Sequence, residues 1–295
     1  MTEQEMQALV ARCVFPSAGE AVHVAVSGGP DSSALLVLAT TAECRVTAHH
    51  VDHGLRSGSA AEAHLVASLA ERFGADFVAH TAAVEPGPNL EARARAARFA
   101  VLPEVIATGH TLDDRVETIL LNLMRGAARS GLSAVAPSRR HPIAALRRSE
   151  THDLCRRLEI NVVIDPSNLD PGHRRNRVRH EVLPLLDDIF ERDVAPIIDR
   201  QASVMADEDE LLDELAAAID PTDAKGVAAA PVPLARRALR RWLIETAELE
   251  HPPSGGSIDR VLAVACGDAI AAQIEGGRMI YRSGQRMRIE SPSLL

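Results

Sequence analysis

Residues 22–123 alternate between two hydrophobic patterns, and the order of these patterns predicts an α/β fold. Short apolar runs typical of buried strands are followed by longer stretches whose apolar residues recur three and four positions apart, as on one face of a helix. Regular alternation of the two predicts a doubly wound parallel sheet, in which ligands bind beyond the carboxyl ends of the strands. The predicted strands are Val22–Val26, Arg45–Val51, Asp76–His80 and Val105–Thr108, and the predicted helices are Ser32–Thr41, Ala60–Phe73, Leu90–Leu102 and Leu112–Leu123.

The first predicted strand runs into the first helix through the sequence Ser-Gly-Gly-Pro-Asp-Ser. The two glycines permit φ > 0 and a close approach of backbone N–H groups to an anion, and the serines supply hydroxyl donors. The helix that follows directs free N–H groups and its positive dipole end to the same place, where a proline is tolerated and the aspartate is suited to hold a metal ion. The segment predicts a pyrophosphate site, and the alternative is an ordinary strand-to-helix turn. The residues predicted to bind are Ser27, Gly28, Gly29, Pro30, Asp31 and Ser32.

Polar residues also follow the second predicted strand, at the edge of the sheet where the Ser27–Ser32 segment should lie. We expect an adenosine to contact them if its phosphates bind to that segment. A His-Asp-His metal site is a further interpretation, and histidines packed at the end of a strand are an equally good one. The residues concerned are His49, His50, Asp52, His53, Gly54 and Arg56.

A third polar cluster follows the fourth predicted strand. His110, one of two adjacent aspartates and Glu117 recur at helical spacing and can share one face of the next helix. A structural role is the alternative, because Thr111 or either aspartate, Asp113 or Asp114, is suited to cap that helix. Three polar clusters at one edge of the sheet predict one site.

Charge and composition narrow the class of partner. The formal net charge is −9, yet residues 121–180 contain 12 Arg and 5 acids, whereas residues 181–220 contain 2 Arg and 13 acids. The basic region could bind phosphates through guanidinium groups or form a solvated face, and 2% aromatic residues leave no stacking platform for single-stranded nucleic acid. The acidic stretch from Leu186 to Asp220 has apolar residues at helical spacing and is predicted as one long linking helix, after which Pro221 marks a boundary.

Several classes of protein are excluded. The only lysine is Lys225, so no Gly-x-x-x-x-Gly-Lys-Ser/Thr loop exists, and no Gly-x-Gly-x-x-Gly follows the first strand. The 46% apolar content is enough for a core without disulfides, and the four cysteines lack a Cys-x-x-Cys pair. The first residues do not form a secretory leader, and no window approaches about 18 apolar residues. We expect a soluble, cytoplasmic protein with no membrane segment.

Five motifs in order resemble the tRNA(Ile)-lysidine synthetases, a family of PP-loop ATP pyrophosphatases. They are SGGPDS, HVDHGLRSGS, NLEARARAARF, ATGHTLDDRVETILLNLMRG and DPSNLDPGHRRNRVRHEVLPLL, and residues from Gly255 onward are similar to the family's small C-terminal domain. The resemblance implies an adenine nucleotide alpha hydrolase-like sheet, with a helical linker and a small α+β domain. The predicted domains are a PP-loop ATP-binding catalytic domain at 1–185, an acidic helical linker at 186–220 and a domain that contributes to tRNA binding at 221–295.

The activity that the resemblance implies is ligation of L-lysine to C2 of the wobble cytidine of an isoleucine tRNA with a CAU anticodon, using ATP and Mg²⁺. The cytidine is first adenylated, with release of pyrophosphate, and lysine then displaces AMP. The resemblance is also compatible with a homodimer. By similarity, the catalytic residues are Asp31, Arg95, His110, Asp114 and Glu117, with Asp31 as the metal ligand; ATP binds to Ser27, Gly28, Gly29, Pro30, Asp31, Ser32, His53 and Arg56; and tRNA binds to Arg98, Arg175, Asn176, Arg177, Arg179 and His180.

Within these assignments, Asp114 and Glu117 would hold and deprotonate the lysine amine, and His110 would act on the nucleotide or a proton. Arg95 would neutralise the adenylate phosphate or the tRNA backbone, unless it only forms a helix ion pair with Glu91. The basic motif at 175–180 has an ordinary exposed helix as its alternative.

The sequence departs from the family pattern at three positions. Phe99 stands where an Arg-Tyr pair is usual, Ala128 stands where glycine is usual, and His141-Pro142 stands where Arg-Pro is usual. Other functions remain open: tRNA thiolation, which in related enzymes uses paired cysteines; a small-molecule amide synthetase, which needs no basic surface; and a module that binds without catalysis.

Overall fold

The computed structural model describes residues 1–52, 59–82, 90–126, 136–163, 170–247, 249 and 252–290. The chain divides into two compact units, Met1–Ser203 and Val204–Leu295. The division falls inside a helix, so the predicted domain limits at 185, 186–220 and 221 stay predictions. None of the helices in the described parts of the chain is both long and apolar enough to cross a bilayer.

The first unit alternates strands and helices as predicted, with most bounds within one or two residues of the expected ones. The elements are α1 (Glu3–Val10), β1 (Ala21–Ala25), α2 (Pro30–Thr41), β2 (Arg45–Asp52), α3 (Ser59–Arg72), β3 (Asp76–Thr81), α4 (Leu90–Val101), α5 (Leu112–Met124), α6 (Arg148–Arg157), α7 (Arg174–Arg177), a π-helix (Val178–Val182), α8 (Leu183–Phe190) and α9 (Ala195–Ala217).

Strands β1, β2 and β3 form a parallel sheet in the order β1-β2-β3. Ala107 pairs with Val24 on the other side of β1, where its N–H donates to the His23 carbonyl at 2.8 Å. The chain therefore winds outward through β2 and β3 and then returns to the far side of β1, which is a doubly wound arrangement. The switch in direction lies beside β1, where such sheets bind ligands.

The predicted strand Val105–Thr108 is reduced to a single bridge at Ala107. The next residue, Thr108, donates its N–H to the carbonyl of Arg140 at 2.9 Å rather than to a strand. The backbone thus turns into a loop connection after one residue of pairing, and the prediction of a full fourth strand was wrong.

The core of the first unit forms around β1 and α2. Val22, Val24 and Val26 are buried, and so is every residue from Ser32 to Ala39 of α2. Such an apolar helix must be covered on all sides, and residues of α3 and α6 pack in the same cluster. Because α2 is packed in the centre of the core, its first turn is held in place next to the loop that follows β1.

The acidic stretch from 186 to 220 is not one long helix, as the sequence suggested. Helix α8 ends at Phe190, Glu191 takes a left-handed conformation with φ of 49°, and α9 begins at Ala195. Pro196 explains the break, because proline lacks the N–H that a continuous helix requires and is tolerated only in a first turn.

The second unit contains a small antiparallel sheet and three helices in the part of the chain that the structure describes, besides the end of α9. The sheet order is β4-β5-β6, and the core includes Leu239, Trp242, Val261 and Ile280. This confirms the small C-terminal α+β fold. The elements are α10 (Ala224–Ala229), α11 (Val232–Thr246), α12 (Gly255–Cys266), β4 (Ala271–Gln273), β5 (Met279–Ser283) and β6 (Arg286–Glu290), with a short 3-10 turn at Glu275–Gly277.

Candidate active site

The Ser27–Ser32 loop joins the end of β1 to the start of α2. Gly28 has φ of +85°, and a Cβ atom there would lie 2.8 Å from Cγ2 of Val163. The same glycine accepts a hydrogen bond through its carbonyl from the Val163 N–H at 2.8 Å. Both the backbone angle and the close neighbour require glycine at this position.

Two serine hydroxyls hold this loop together. The hydroxyl of Ser32 donates to the carbonyl of Gly29 at 3.0 Å and accepts from the N–H of Ser27 at 3.2 Å. It also lies 3.1 Å from the hydroxyl of Ser27. Helix α2 begins at Pro30 without a side-chain cap, so the N–H groups of its first turn remain available to an anion. The geometry is that of a phosphate cradle.

Gly109 brings a second loop against this cradle. A Cβ atom at Gly109 would lie 2.9 Å from the carbonyl carbon and oxygen of Asp31 and 2.9 Å from Cα of Ser32. These neighbours are backbone atoms, which cannot rotate away as a side chain can. The absence of a side chain at Gly109 therefore lets the chain before α5 reach the start of α2.

The carboxylate of Asp31 lies at the centre of this contact. It accepts a hydrogen bond from the hydroxyl of Thr151 on α6, and it lies 3.6 Å from Nε of Arg148 and 3.9 Å from Nε2 of His152. Burial raises the pKa of Asp31, the negative charge of Asp114 raises it further, and the hydrogen bond from Thr151 opposes the rise.

Helix α5 carries the predicted acidic residues in its first two turns. Thr111 is the N-cap, and Asp114 at the third helical position accepts from the N–H of Thr111 at 2.9 Å and from its hydroxyl at 2.9 Å. Asp114 thus combines a capping role with a place in the site. Glu117 lies one turn further and has a fully buried side chain.

Asp113 faces α6 instead. Its carboxylate accepts from the side chain of Arg147 at 2.9 Å and from the backbone N–H of Arg148 at 2.7 Å. Burial acts to raise the pKa of Asp113, but the hydrogen bonds from Arg147 and Arg148 outweigh it and the pKa is lowered. Asp113 therefore holds the start of α6 in place and does not belong to the acidic face that Asp114 and Glu117 share on α5.

Arg148 connects the two halves of the site. Its Nη2 donates to Oδ1 of Asp114 at 2.8 Å and its Nη1 donates to Oε1 of Glu117 at 3.0 Å, while its Nε faces Asp31. Burial disfavours the charged guanidinium, but the surrounding carboxylates outweigh this effect and raise the pKa of Arg148.

Two arginines of the predicted tRNA-binding motif reach the same carboxylates. Nε of Arg175 donates to Oε2 of Glu117 at 2.8 Å, and Nε of Arg179 donates to Oε1 of Glu117 at 2.7 Å. Burial acts against ionisation of Asp114, but Arg148 and Arg175 lower its pKa overall. The carboxylates are those of Asp31, Asp114 and Glu117 and the guanidinium groups those of Arg148, Arg175 and Arg179, so the formal charges of the two sets are equal and opposite. We call Asp114 and Glu117 the acid pair.

His110 lies between Gly109 and the cap of α5. Its Nδ1 is 2.6 Å from the hydroxyl of Thr108, and Nδ1 of His141 is 2.9 Å from the same hydroxyl. The same hydroxyl lies 3.2 Å from the carbonyl of Arg140, so the side chain of Thr108 joins both imidazoles to the loop at Arg140. His141, a departure from the family pattern, thus lies beside a predicted catalytic residue, with ring centroids 4.8 Å apart.

The histidines at the end of β2 are packed within the sheet. His50 bonds through Nδ1 to the carbonyl of Val26 at 2.8 Å. His49 lies between His23 and His80, at 2.9 Å from each. Burial and the two neighbouring imidazoles lower the pKa of His49 to about 4. These contacts favour the packing interpretation over direct ligands.

The remaining predicted residues are not all brought to this site. Arg177 forms an ion pair at 2.7 Å with Glu181 of the adjoining π-helix, and the side-chain amide of Asn176 donates to the carbonyl of Asp170 at 2.9 Å. Arg95 and Arg98 lie on α4, and His180 is exposed in the π-helix. The side chain of Arg95 is not among the described parts of the chain. His53 and Arg56 lie outside the described residues.

Three residues in the site were missed as individual site residues. Gly109, Arg148 and Thr151 contact Asp31 or its backbone, although two of them lie more than a hundred positions away in the chain. In the sequence, Arg148 is only one of the 12 Arg of the basic region 121–180. A glycine directly before His110, at the end of a predicted strand, is the one local signal that could have indicated a close backbone approach.

Comparison with known proteins agrees with this geometry. The profile of the PP-loop domain family matches residues 2–186. The chain is 40% identical over 249 residues to the tRNA(Ile)-lysidine synthase of Nocardia farcinica, covering 79% of this chain and 78% of that protein. It is 34% identical over 284 residues to the tRNA(Ile)-lysidine synthase of Cutibacterium acnes, covering 88% of each.

Among solved structures, the U34-tRNA thiolase NcsA of Methanococcus maripaludis matches with a TM-score of 0.52 over 68% of this chain and 78% of that chain. The identity is 17%, so this likeness shows the fold alone. Fold, cradle and profile together define a PP-loop protein with an ATP-binding domain. With relatives at this identity and coverage, the chain belongs to the tRNA(Ile)-lysidine synthase family.

Proposed function

We propose that this protein ligates L-lysine to C2 of the wobble cytidine of an isoleucine tRNA with a CAU anticodon, releasing AMP and pyrophosphate. The observation that carries the proposal is the single connected site in which Arg148 joins the phosphate cradle to the acid pair. A reaction that activates one substrate with ATP and then attacks it with an amine needs these two regions side by side.

In the first step, the C2 oxygen of cytosine forms a bond to the α-phosphorus of ATP, and the bond from that phosphorus to pyrophosphate breaks. The N–H groups at the start of α2 and the hydroxyl of Ser27 bind the pyrophosphate portion, while the hydroxyl of Ser32 donates to the carbonyl of Gly29 and keeps the loop in this shape. Their contribution is greatest for the charge that develops on the leaving group, because the donors are already held in place by the loop's own hydrogen bonds.

Asp31 fits the magnesium ion that this chemistry uses. Mg²⁺ is commonly held by one or two carboxylates together with substrate phosphates, and no group of three His, Cys, Asp or Glu side chains suited to a metal occurs in the described residues. Burial raises the pKa of Asp31. A divalent cation bound to this carboxylate would oppose that rise, because a nearby positive charge favours the ionised form. The ion would supply positive charge to the phosphates when bound.

In the second step, the lysine ε-nitrogen forms a bond to C2, the bond from C2 to the phosphate oxygen breaks, and AMP leaves with the electron pair. The acid pair holds the ammonium group and accepts the proton that must leave the amine before attack. Both carboxylates already contact arginines in this structure. We therefore propose that lysine replaces the contacts of Arg175 or Arg179, which then become free to bind a tRNA phosphate.

The tRNA is proposed to bind along the basic motif, where Arg177 and His180 are exposed. Guanidinium groups on this face would contact the phosphate backbone and position the anticodon. Cytoplasmic location and a homodimer belong to the same proposal, and sedimentation of the protein with and without tRNA tests the second. The thiolation alternative gains no support, since the four cysteines are free and separate: Cys13, Cys44, Cys155 and Cys266.

The experiment measures AMP and pyrophosphate release together with incorporation of labelled lysine into an isoleucine tRNA transcript with a CAU anticodon. The methionine tRNA with the same anticodon is the matched control. We expect label in the isoleucine tRNA alone, with one AMP formed for each lysine. AMP release without lysine incorporation would retain the ATP chemistry and overturn the proposed acceptor reaction.

A further inference from the structure

Arg148 differs from the other arginines of the site in what it contacts. It faces Asp31 beside the phosphate cradle and also bonds to both members of the acid pair. Arg175 and Arg179 contact the acid pair from the other side. Among the described arginines, Arg148 alone has ion pairs with both halves of the site.

The reaction places a phosphate at the junction of these halves. If pyrophosphate lies in the cradle and the attacking groups lie by the acid pair, the α-phosphorus must lie between them, because the leaving and attacking oxygens are roughly in line in phosphoryl transfer. The guanidinium of Arg148 occupies this junction. This argument rests on the proposed function for the place of the acceptor.

Neutralising the acid pair does not by itself require Arg148. Arg175 and Arg179 already supply two guanidinium groups for the two carboxylates. The side chain of Arg148 also retains 18% exposure. A ligand can therefore approach it, which would not hold for a sealed structural ion pair.

We propose that Arg148 is a catalytic residue that binds the α-phosphate of ATP. In the adenylation step its guanidinium stabilises the charge on the equatorial oxygens of the α-phosphorus. In the lysine step it stabilises the charge that returns to AMP as the bond from C2 to oxygen breaks. Asp113 is a positioning residue for this group, because it holds the backbone N–H of Arg148.

The test compares Arg148→Gln and Arg148→Lys with the parent enzyme and with Arg157→Gln. Arg157 lies on the same helix and forms an ion pair with Glu5, so its variant controls for loss of an arginine from α6. Removing one donor to a developing charge typically lowers kcat by about 100- to 1,000-fold. We expect that loss in tRNA-dependent adenylation for Arg148→Gln, with the KM for ATP changed less than about threefold, and no such loss for Arg157→Gln.

A sulfur substitution at the α-phosphate separates contact with the phosphate from a merely structural role. The parent enzyme should react more slowly with ATP that carries sulfur at a non-bridging α position than with ATP. This ratio should fall towards one in both Arg148 variants, and Arg148→Lys serves if Arg148→Gln does not fold. An unchanged ratio in a folded variant, or a raised KM with unchanged kcat, would overturn the inference. If the parent makes no lysidine at all, the proposed function fails instead.

Discussion

The contact at Gly109 gives the most direct structural prediction, for the variant Gly109→Ala. The added Cβ would lie 2.9 Å from three backbone atoms of Asp31 and Ser32, whereas ordinary contact begins at 3.4 Å, so the two loops must separate by about 0.5 Å. Overpacking of this kind typically costs about 1–3 kcal/mol. For a unit of this size, 2 kcal/mol corresponds to a fall in Tm of roughly 4–8 °C.

The same shift should affect catalysis more than stability. The backbone atoms that move belong to the first turn of α2, which forms the phosphate cradle. Displacements of about 1 Å in such sites can cost about 100-fold in rate, so we expect tRNA-dependent pyrophosphate release to fall by about tenfold or more.

Thermal unfolding and the rate of pyrophosphate release are measured for Gly109→Ala beside Gly255→Ala. Gly255 lies at the start of α12, and a Cβ there would meet no atom within 4 Å. The control should keep its Tm or gain slightly, because alanine favours a helix over glycine. If Gly109→Ala retains both Tm and rate, the close approach between the two loops is not a constraint and the described geometry is wrong.

Three further predictions follow from the contacts. Glu117→Gln should lower the free energy of unfolding by about 1–3 kcal/mol, because it leaves the partly buried guanidinium groups of Arg148, Arg175 and Arg179 facing a neutral amide. The exposed Glu181→Gln should leave the free energy of unfolding nearly unchanged, and urea titration measures both. The pKa of His49 is lowered to about 4 from 6.5, so between these pH values the unfolded state binds a proton that the native state does not. The free energy of unfolding should therefore fall by up to about 3 kcal/mol as pH falls from 6.5 to 4. In unfolding curves measured across this range, His49→Gln should reduce the dependence on pH, and the exposed His64→Gln should not. Arg177→Gln should weaken tRNA binding and reduce its dependence on the logarithm of salt concentration by about one, and a larger loss of kcat than of affinity would contradict a phosphate-binding role.

The sequence was a good guide wherever a local pattern determines structure. The cradle at Ser27–Ser32 was predicted because strand, glycines, serines and helix start are adjacent in the chain. A cap by Thr111 or one of the two aspartates was predicted for the same reason, and the structure shows that Thr111 is the cap. The structure also confirms that Asp114 and Glu117 share one face of α5, where both contact Arg148.

Long-range contacts account for what the sequence did not show. Nothing near Arg148 or Thr151 indicates that they meet Asp31, because the loop after Gly109 and the start of α6 must first fold together. The prediction of one long helix at 186–220 was wrong for a local reason, because it followed the helical spacing of the apolar residues and disregarded Pro196. The prediction of a full strand at Val105–Thr108 was wrong because Thr108, next to Ala107, bonds to Arg140 in a distant loop.

Nucleoside analysis of the isoleucine tRNA, after reaction with the purified protein, ATP, Mg²⁺ and lysine, decides whether the wobble cytidine is the acceptor of lysine. We expect this cytidine to be replaced by a nucleoside heavier by lysine less water, and Glu117→Gln to form far less of it. An unmodified cytidine despite AMP release, or a product that contains sulfur or ammonia-derived nitrogen in place of lysine, would show that the protein does not join lysine to this cytidine.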